Sequence, residues 1–295
     1  MNQVAKHWKD YECIDAGSGE KLERWKDIIL RRPDPQVIWP MEENSMWNSP
    51  HAHYRRSKSG GGSWEYKKKF KDSWTVSYGD LRFKVSPTGF KHTGLFPEQA
   101  VNWDFCTGLL RQRPGARVLN LFAYTGGATL ACAGAGAQVT HVDASKGMVQ
   151  WARDNAAASG LSGAPVRWLV DDCMKFVARE IRRGSRYQGI IMDPPSYGRG
   201  PSGEVWRLEE KIFALLEECK KILAKDALFF MVNTYTTGLS PAVMEYMLSS
   251  MMTPGLGGRV SSGEIGLPVS QTGLVLPCGG TAIWQAALPG RGGNP

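Results

Sequence analysis

The sequence predicts an α/β protein: a doubly wound, mostly parallel sheet of seven strands with an antiparallel closing pair, preceded by a small β-rich domain. Two observations predict it. After residue 116, short apolar segments alternate with helical ones, as in a parallel sheet covered by helices on both faces. Before residue 90, β-like runs are separated by turn residues such as Gly17-Ser18-Gly19 and Gly79-Asp80. We therefore divide the chain into a β-rich substrate-binding region, 1–90, and a Rossmann-like domain, 91–295.

The strands of the first region are predicted from short runs of alternating apolar and polar residues. They are Tyr11–Asp15, Glu20–Trp25, Asp27–Leu30, Trp64–Phe70, Ser73–Tyr78 and Leu81–Ser86. Residues 42–62 are polar, and we predict that Gly60-Gly61-Gly62 lie in a flexible loop.

The second region opens with a predicted helix, Glu98–Leu110, and continues as the alternation of strands and helices. Strands are predicted at Val118–Phe122, Gln138–Val142, Val166–Val170, Tyr187–Met192, Ala227–Val232, Arg259–Ile265 and Ala282–Ala286. Helices are predicted up to Gly136, from the N-cap Ser145 to Ala158, and at Asp172–Arg183, Val205–Leu223 and Pro241–Met251. No obvious helix separates the last two strands, which therefore suit an antiparallel closing pair.

The composition limits the classes of function. The 295 residues carry a net charge of +8, are 42% apolar and include six scattered cysteines without a C-x-x-C pair. We expect a folded core, no membrane span and no secretion signal, because no long apolar run occurs. We also expect no metal, no disulfide framework and a reduced cytoplasmic location. A homodimer is compatible with the sequence.

Basic and aromatic residues are interleaved between residues 51 and 71. Seven Lys and Arg side chains occur there against the single acid Glu65, among Tyr54, Trp64, Tyr66 and Phe70. The stretch is either a solvated basic face or a surface for a phosphate backbone with bases stacked nearby. On the second interpretation, the substrate contacts are Arg55, Arg56, Lys67, Lys69, Tyr197 and Arg199.

The segment from Arg117 to Asp143 predicts an adenosine-binding unit, because a strand, a small-residue loop, a helix and a second strand end on an acid. The loop reads N-L-F-A-Y-T-G-G and lacks the G-x-G-x-x-G that admits a pyrophosphate. A cofactor without phosphates fits better. S-adenosylmethionine offers an amino-acid tail to the loop, ribose hydroxyls to Asp143 and an adenine amino group to Asp172.

Acidic residues follow three successive predicted strands. One acid after a strand is more often a helix cap, but ligands of such sheets bind at the carboxyl ends of the strands, so the three together indicate a binding site. The predicted cofactor contacts are Asn120, Phe122, Tyr124, Thr125, Gly126, Asp143, Ala144, Ser145, Asp172, Cys173 and Asp193.

The segment Asp193-Pro194-Pro195-Ser196-Tyr197 follows the fourth strand. It is either a rigid turn or the place of the methyl acceptor, where an aromatic ring stacks on a planar base that has left its own stack. Such stacking is worth about 1–3 kcal/mol per base. On the second interpretation the catalytic residues are Asp193, Pro194 and Tyr197.

These motifs carry a family resemblance. N-L-F-A-Y-T-G-G, V-D-A-S, D-D-C and D-P-P-S-Y-G-R-G, after K-H-T-G-L-F-P-E-Q at Lys91–Gln99, resemble class I S-adenosylmethionine-dependent methyltransferases of the bacterial 23S rRNA type. The resemblance covers residues 73–286 and includes cytosine-5 and guanine-N7 members. It implies S-adenosyl-L-methionine as cofactor, S-adenosyl-L-homocysteine as product, RNA as partner, and Phe96 and Gln99 over the cofactor. No PUA-type RNA-binding domain is evident.

The segments that would carry the acceptor chemistry contain no cysteine. Cytosine-5 members use a cysteine nucleophile that adds to the ring, yet neither Val232–Thr237 nor Asp193–Tyr197 holds one. Nitrogen methylation needs only a positioned lone pair, and Asn233 partly matches the Asn-rich segment of guanine-N7 members. The sequence thus favours a ring or exocyclic nitrogen of an rRNA base.

Three other functions remain open from the sequence. They are methylation of a protein or small molecule, cofactor binding without catalysis, and a dinucleotide oxidoreductase.

Overall fold

The strands of the protein form two large sheets and two hairpins. The structure, a computed structural model, describes residues 3–42, 45–57, 61–200, 202–235 and 238–287. The strands are β1 (Gln3–Val4), β2 (Tyr11–Gly17), β3 (Glu20–Trp25), β4 (Ile28–Pro33), β5 (Ala52–Arg56), β6 (Gly62–Tyr66), β7 (Trp74–Tyr78), β8 (Leu81–Val85), β9 (Arg117–Leu121), β10 (Gln138–Asp143), β11 (Val166–Val170), β12 (Gly189–Met192), β13 (Tyr197–Arg199), β14 (Val205–Arg207), β15 (Phe229–Thr234), β16 (Arg259–Pro268) and β17 (Val275–Gln285).

The helices lie between the strands of the larger sheet. They are α1 (Ala100–Leu110), α2 (Gly127–Gly134), α3 (Lys146–Ala158), α4 (Cys173–Arg182), α5 (Leu208–Lys220) and α6 (Pro241–Leu256), with 3-10 turns at Ser45–Asn48 and Pro97–Gln99. Within the described ranges, no helix is both long and apolar enough to cross a bilayer.

The larger sheet has the strand order β1-β16-β17-β15-β12-β9-β10-β11. All its neighbouring strands are parallel except β17, which runs antiparallel to both β15 and β16. The seven predicted strands and the antiparallel closure are therefore confirmed. The two-residue strand β1 was not predicted, since its parallel partner β16 lies near the other end of the chain.

The N-terminal sheet has the order β2-β3-β4-β5-β6, and the separate β7–β8 hairpin contributes to the same apolar core. The sheet shares this core with α1, α2 and the β16–β17 hairpin, in which Trp25, Phe83, Trp103 and Leu267 are buried. Helix α2 approaches α1 closely because Gly127 has no side chain: a Cβ there would lie 2.5 Å from the Trp103 ring. The two sheets are thus held in a fixed relation through α1 and α2.

Two local features differ from what the sequence indicated. The polar stretch 42–62 contains strand β5, which pairs with both β4 and β6; Gly60 of the predicted loop lies outside the described residues. The apolar periodicity that began the predicted helix at Val205 was accidental. Val205 is 37% exposed and belongs to the short β13–β14 hairpin, so α5 begins at Leu208.

Candidate functional site

The carboxyl ends of β9, β10, β11 and β12 border a cleft of about 610 Å³, within the usual range for a small-molecule site. Eleven predicted site residues line it: Phe96, Phe122, Tyr124, Asp143, Ala144, Ser145, Asp172, Cys173, Asp193, Pro194 and Arg199. A smaller continuation of about 50 Å³ adds Gln99, Asn120 and Thr125. Gly126 borders neither space, and neither do Tyr197, Arg55, Arg56, Lys67 and Lys69.

Asp143 holds the loop after β9 in its conformation. Its Oδ2 accepts the Tyr124 N–H at 2.8 Å, and its Oδ1 accepts the Ser145 N–H at 2.8 Å. Phe122 and Tyr124 have positive φ values of 54° and 50°, which costs free energy for residues with side chains. Strain of this kind persists only where surrounding contacts fix it, and the Asp143 carboxylate is such a contact. Each of its oxygens keeps a lone pair directed to other donors.

Asp172 both caps a helix and lines the cleft, two positions that the sequence presented as alternatives. Its Oδ1 accepts the Lys175 N–H at 2.9 Å and caps α4, while the side chain also lines the cleft. Ser145 caps α3 in the same way through Met148 N. A helix cap and a ligand contact are compatible here because a carboxylate accepts several hydrogen bonds.

Asp193 lies at the end of β12 in a poorly solvated position. Burial, with a further contribution from the negative charge of Glu98, raises the pKa of Asp193 to about 7. Its backbone N–H reaches Leu121 O at 3.4 Å, which ties it to the adjacent strand β9. A carboxylate with a pKa near neutral pH changes its protonation state under working conditions, as groups that exchange protons with a substrate do.

The β13–β14 hairpin fixes the proline loop. The Trp206 indole donates to Pro195 O at 2.7 Å, and Leu208 N donates to Ser196 O at 3.0 Å. The Trp206 ring also packs on Phe122, with centroids 4.9 Å apart. Tyr197, on the same hairpin, is 53% exposed outside the cleft. The loop that carries Asp193 is thereby anchored from both sides.

An aromatic wall closes the side of the cleft nearest the N-terminal sheet. Phe96 contacts His92, Tyr124 and Tyr235, each with ring centroids 5.5 Å apart. Gln99 Nε2 donates to the Tyr235 hydroxyl at 2.9 Å, and the same hydroxyl bonds to Glu98. The wall is therefore braced by buried polar groups behind it.

A buried amide network continues behind this wall. Asn102 Nδ2 donates to Gln99 Oε1 and to Asn233 Oδ1, both at 2.9 Å. Asn233 lines the small continuation and not the main cleft, so its contact to a ligand would be at the inner end of the site.

Eight residues that line the cleft were not among the predicted site residues: His92, Met174, Pro195, Ser196, Gly198, Gly200, Trp206 and Tyr235. Tyr235 directly follows β15 and was accessible to the same strand-end rule that identified Asp143 and Asp193. His92 lies in the segment Lys91–Gln99 that carried the family resemblance. Trp206 had no local signal, because its position depends on the β13–β14 hairpin.

The residues fit S-adenosylmethionine. Asp143 has free lone pairs for ribose hydroxyls, Asp172 has a second oxygen for an amino group, and Phe122 and Met174 supply apolar surface for an adenine ring. The described residues hold no cluster of three or more His, Cys, Asp or Glu side chains suited to a metal ion.

Gly126 is expected to be sterically required in this loop. It has φ +87°, and a Cβ would lie 2.9 Å from Ala152 Cβ, whereas Gly136 has φ +91° with nothing within 4 Å of its Cβ position. Gly136→Ala should lower the free energy of unfolding by about 1–2 kcal/mol, from backbone strain alone. Gly126→Ala should cost roughly 1–3 kcal/mol more because of the overlap. Urea denaturation of both variants measures the difference; equal losses would contradict the steric account.

Comparisons with known proteins show the family to which the chain is similar. A family model described as S-adenosylmethionine-dependent methyltransferase matches residues 51–231. A ribosomal RNA large subunit methyltransferase K/L of Shewanella frigidimarina is 33% identical over 154 residues, which are 52% of this chain and 21% of that protein. The corresponding protein of Shewanella baltica OS155 is 39% identical over 125 residues, 42% of this chain and 16% of that protein. The chain thus spans about a fifth of the length of these relatives.

Solved structures give a fuller overlap. The crystal structure of an S-adenosylmethionine-dependent methyltransferase from Agrobacterium tumefaciens is similar with a TM-score of 0.91 and 37% identity, covering 97% of this chain and 93% of that one. The tRNA (uracil-54, C5)-methyltransferase of Pyrococcus abyssi, in complex with S-adenosyl-L-homocysteine, has a TM-score of 0.51 and 13% identity, covering 92% and 60%. The second likeness concerns the fold alone.

Proposed function

The chain belongs to the S-adenosylmethionine-dependent methyltransferases, and on that premise we propose that it methylates a nitrogen of a base in large-subunit ribosomal RNA. The single observation that carries the proposal is Asp193, with a pKa raised to about 7, in a proline loop at the cleft. A carboxylate there accepts an N–H of the acceptor and orients the nitrogen lone pair toward the methyl group that the cofactor supplies.

We assign the cofactor roles by position around the cleft. Asp143 would accept ribose hydroxyls and Asp172 an adenine amino group, while the Tyr124–Gly126 loop would meet the methionine end. Pro194 offers a carbonyl, and its ring stiffens the loop that holds Asp193. The other cofactor residues predicted from the sequence shape the walls around these groups.

The absence of a suitable thiol supports nitrogen as the target. Among the described residues that line the cleft, Cys173 is the one cysteine, and it lies beside Asp172, away from Asp193 in the chain. Burial raises the pKa of the Cys173 thiol well above its ordinary value, so it stays protonated. A protonated, buried thiol is a poor nucleophile for the addition that cytosine-5 methylation requires.

Two observations support RNA as the acceptor. The K/L relatives are named for ribosomal RNA, and a basic face projects from the N-terminal sheet. Arg55, Arg56, Lys67 and Lys69 are exposed there, beside Tyr66, which is 60% exposed. Cations next to an accessible ring suit phosphates with a neighbouring base. We propose that Tyr197 and Arg199, on the β13–β14 hairpin, contact the same RNA strand.

The protein should transfer label from S-adenosylmethionine to unmodified large-subunit rRNA, and mass analysis of digested nucleosides should find one methylated base. RNA binding should weaken steeply with salt, because each phosphate contact releases counterions. Transfer to proteins or small molecules, with none to RNA, would contradict the proposal and favour the other acceptors.

Three further assignments stay predictions. We propose that residues 1–90 bind substrate and that residues 91–295 form the catalytic domain. The cytoplasmic location and a homodimer are likewise expectations from the sequence.

A further inference from the structure

A second cavity, of about 310 Å³, lies beside the cleft, between the N-terminal sheet and the segment Lys91–Glu98. The two spaces share three lining residues: His92, Phe96 and Tyr235. The aromatic wall therefore borders both the cofactor cleft and this cavity, and the two spaces adjoin along it. The cavity is also lined by Lys21, Arg32, Asp34, Gln36, Lys91 and Glu98, and by Cys278, whose thiol stays protonated because burial raises its pKa well above the ordinary value.

Two of the three cations in the cavity are already paired. Arg32 Nε donates to Glu23 at 2.6 Å, and Lys21 Nζ lies 3.7 Å from Glu23 and 3.4 Å from Asp34. These buried pairs belong to the N-terminal sheet and hold its face in place. They leave little positive charge for a ligand.

Lys91 is different. It is partly buried, and no ion pair or hydrogen bond of its ammonium occurs within the described part of the chain. Burial and the positive charges of Lys21 and Arg32 lower the pKa of Lys91, against the opposing effect of Asp34. A cation held in this way is stabilised by an anion that enters the cavity.

The cavity is electrostatically connected to the basic face. Arg56, exposed at the end of β5, is among the positive charges that act on Lys91. Arg56 is thus near enough to Lys91 to act on its charge, and the cavity borders the aromatic wall. A polyanion bound at Arg56 gains further from the charge of Lys91.

On the basis of the proposed function, we propose that this cavity receives the acceptor nucleotide of a single-stranded or extruded RNA segment. The Lys91 ammonium binds a phosphate of that nucleotide. The base lies against the aromatic wall, at Phe96 and Tyr235, and reaches past it to Asp193. Stacking on the rings compensates for the contacts that a base loses when it leaves its own stack. Glu98, which also lines the cavity, bonds to the Tyr235 hydroxyl.

The first test removes the charge of Lys91. Lys91→Gln should weaken RNA binding about tenfold, raise KM for RNA with little change in kcat, and leave S-adenosylmethionine affinity intact. The slope of log affinity against log salt should fall by about 0.7, the value for one phosphate of a single strand. Lys91→Arg should restore the RNA affinity and the salt slope. Lys225→Gln, at the amino end of β15 on the opposite edge of the sheet, is the matched control and should change neither.

The second test fills the cavity without touching Lys91. Gln36 is exposed at its rim, so Gln36→Trp should fold, bind S-adenosylmethionine normally and raise KM for RNA. Gln112→Trp, exposed beyond the end of α1, is the control for a surface tryptophan. If Lys91→Gln does not fold, the Gln36→Trp result decides.

The outcomes separate this inference from the proposed function. If the wild-type protein methylates RNA but Lys91→Gln and Gln36→Trp bind RNA with unchanged affinity and salt slope, the cavity is not the acceptor site and the inference is overturned. If the wild-type protein transfers no methyl group to RNA, the proposed function itself fails.

Discussion

Asp193→Ala is expected to lower kcat by about 100- to 10,000-fold, the range for losing a positioned acid–base group. The carboxylate is the acceptor for an N–H of the target base, and alanine leaves that donor unpaired in a poorly solvated loop. S-adenosylmethionine affinity should fall by less than about tenfold, because the other cofactor contacts stay in place. Asp154→Ala, on the exposed face of α3, is a matched acid outside the cleft and should keep wild-type activity. Near-normal turnover in Asp193→Ala would contradict the assignment.

The pH dependence of Asp193 provides an independent test. Since burial and Glu98 raise its pKa to about 7, kcat should rise between pH 6 and pH 8 as the carboxylate ionises. In stability, the folded protein binds this proton more tightly than the unfolded chain. The stabilisation of the fold by the protonated Asp193 carboxyl is therefore complete below pH 3.8, the ordinary pKa of this group. It is lost as the pH rises through about 7. The Tm of Asp193→Asn minus the Tm of the wild-type protein should accordingly be larger at pH 8 than at pH 4.

Asp143→Ala is expected to reduce S-adenosylmethionine affinity by at least about 100-fold, measured by calorimetry. Two effects combine. The ribose hydroxyls lose their acceptor, and the N–H groups of Tyr124 and Ser145 lose the carboxylate that holds the strained loop. Circular dichroism should show an intact fold, because the large sheet does not depend on this side chain.

The matched control for Asp143 is Asp171→Ala. Asp171 also follows a strand of the large sheet, but it pairs with Arg179 and does not line the cleft. Its variant should bind the cofactor with nearly wild-type affinity. Equal losses in both variants would mean that charge at this edge, and not the Asp143 contacts, determines binding.

The parts of the site that follow local rules were predictable. Strands β10 to β12 are short, and each ends on or is followed by an acidic residue, so the strand-end rule located Asp143, Asp172 and Asp193 together. Asp172 and Ser145 also have ordinary capping sequences, which set the starts of α4 and α3. These signals extend over only a few residues and do not depend on distant parts of the chain.

The parts that depend on distant contacts were not predictable. Trp206 enters the cleft because β14 pairs with β13, whereas its neighbour Val205 completes a helical period by chance. The second cavity exists only because the N-terminal sheet packs beside Lys91–Glu98. Nothing in the residues of either segment indicates that the two pack together. Strand β5 was missed because Arg55 and Arg56 are exposed and give no apolar alternation.

The pairing of β1 with β16 has a consequence for the order of folding during synthesis. Gln3 pairs with Ile265, and Cys13 forms a bridge with Val269, so each of these residues is completed by one that is synthesised much later. Until β16 emerges from the ribosome, the apolar face of β2 lacks its cover from Leu267 and Leu276. The N-terminal sheet should therefore mature late and be the segment most in need of chaperone protection on nascent chains.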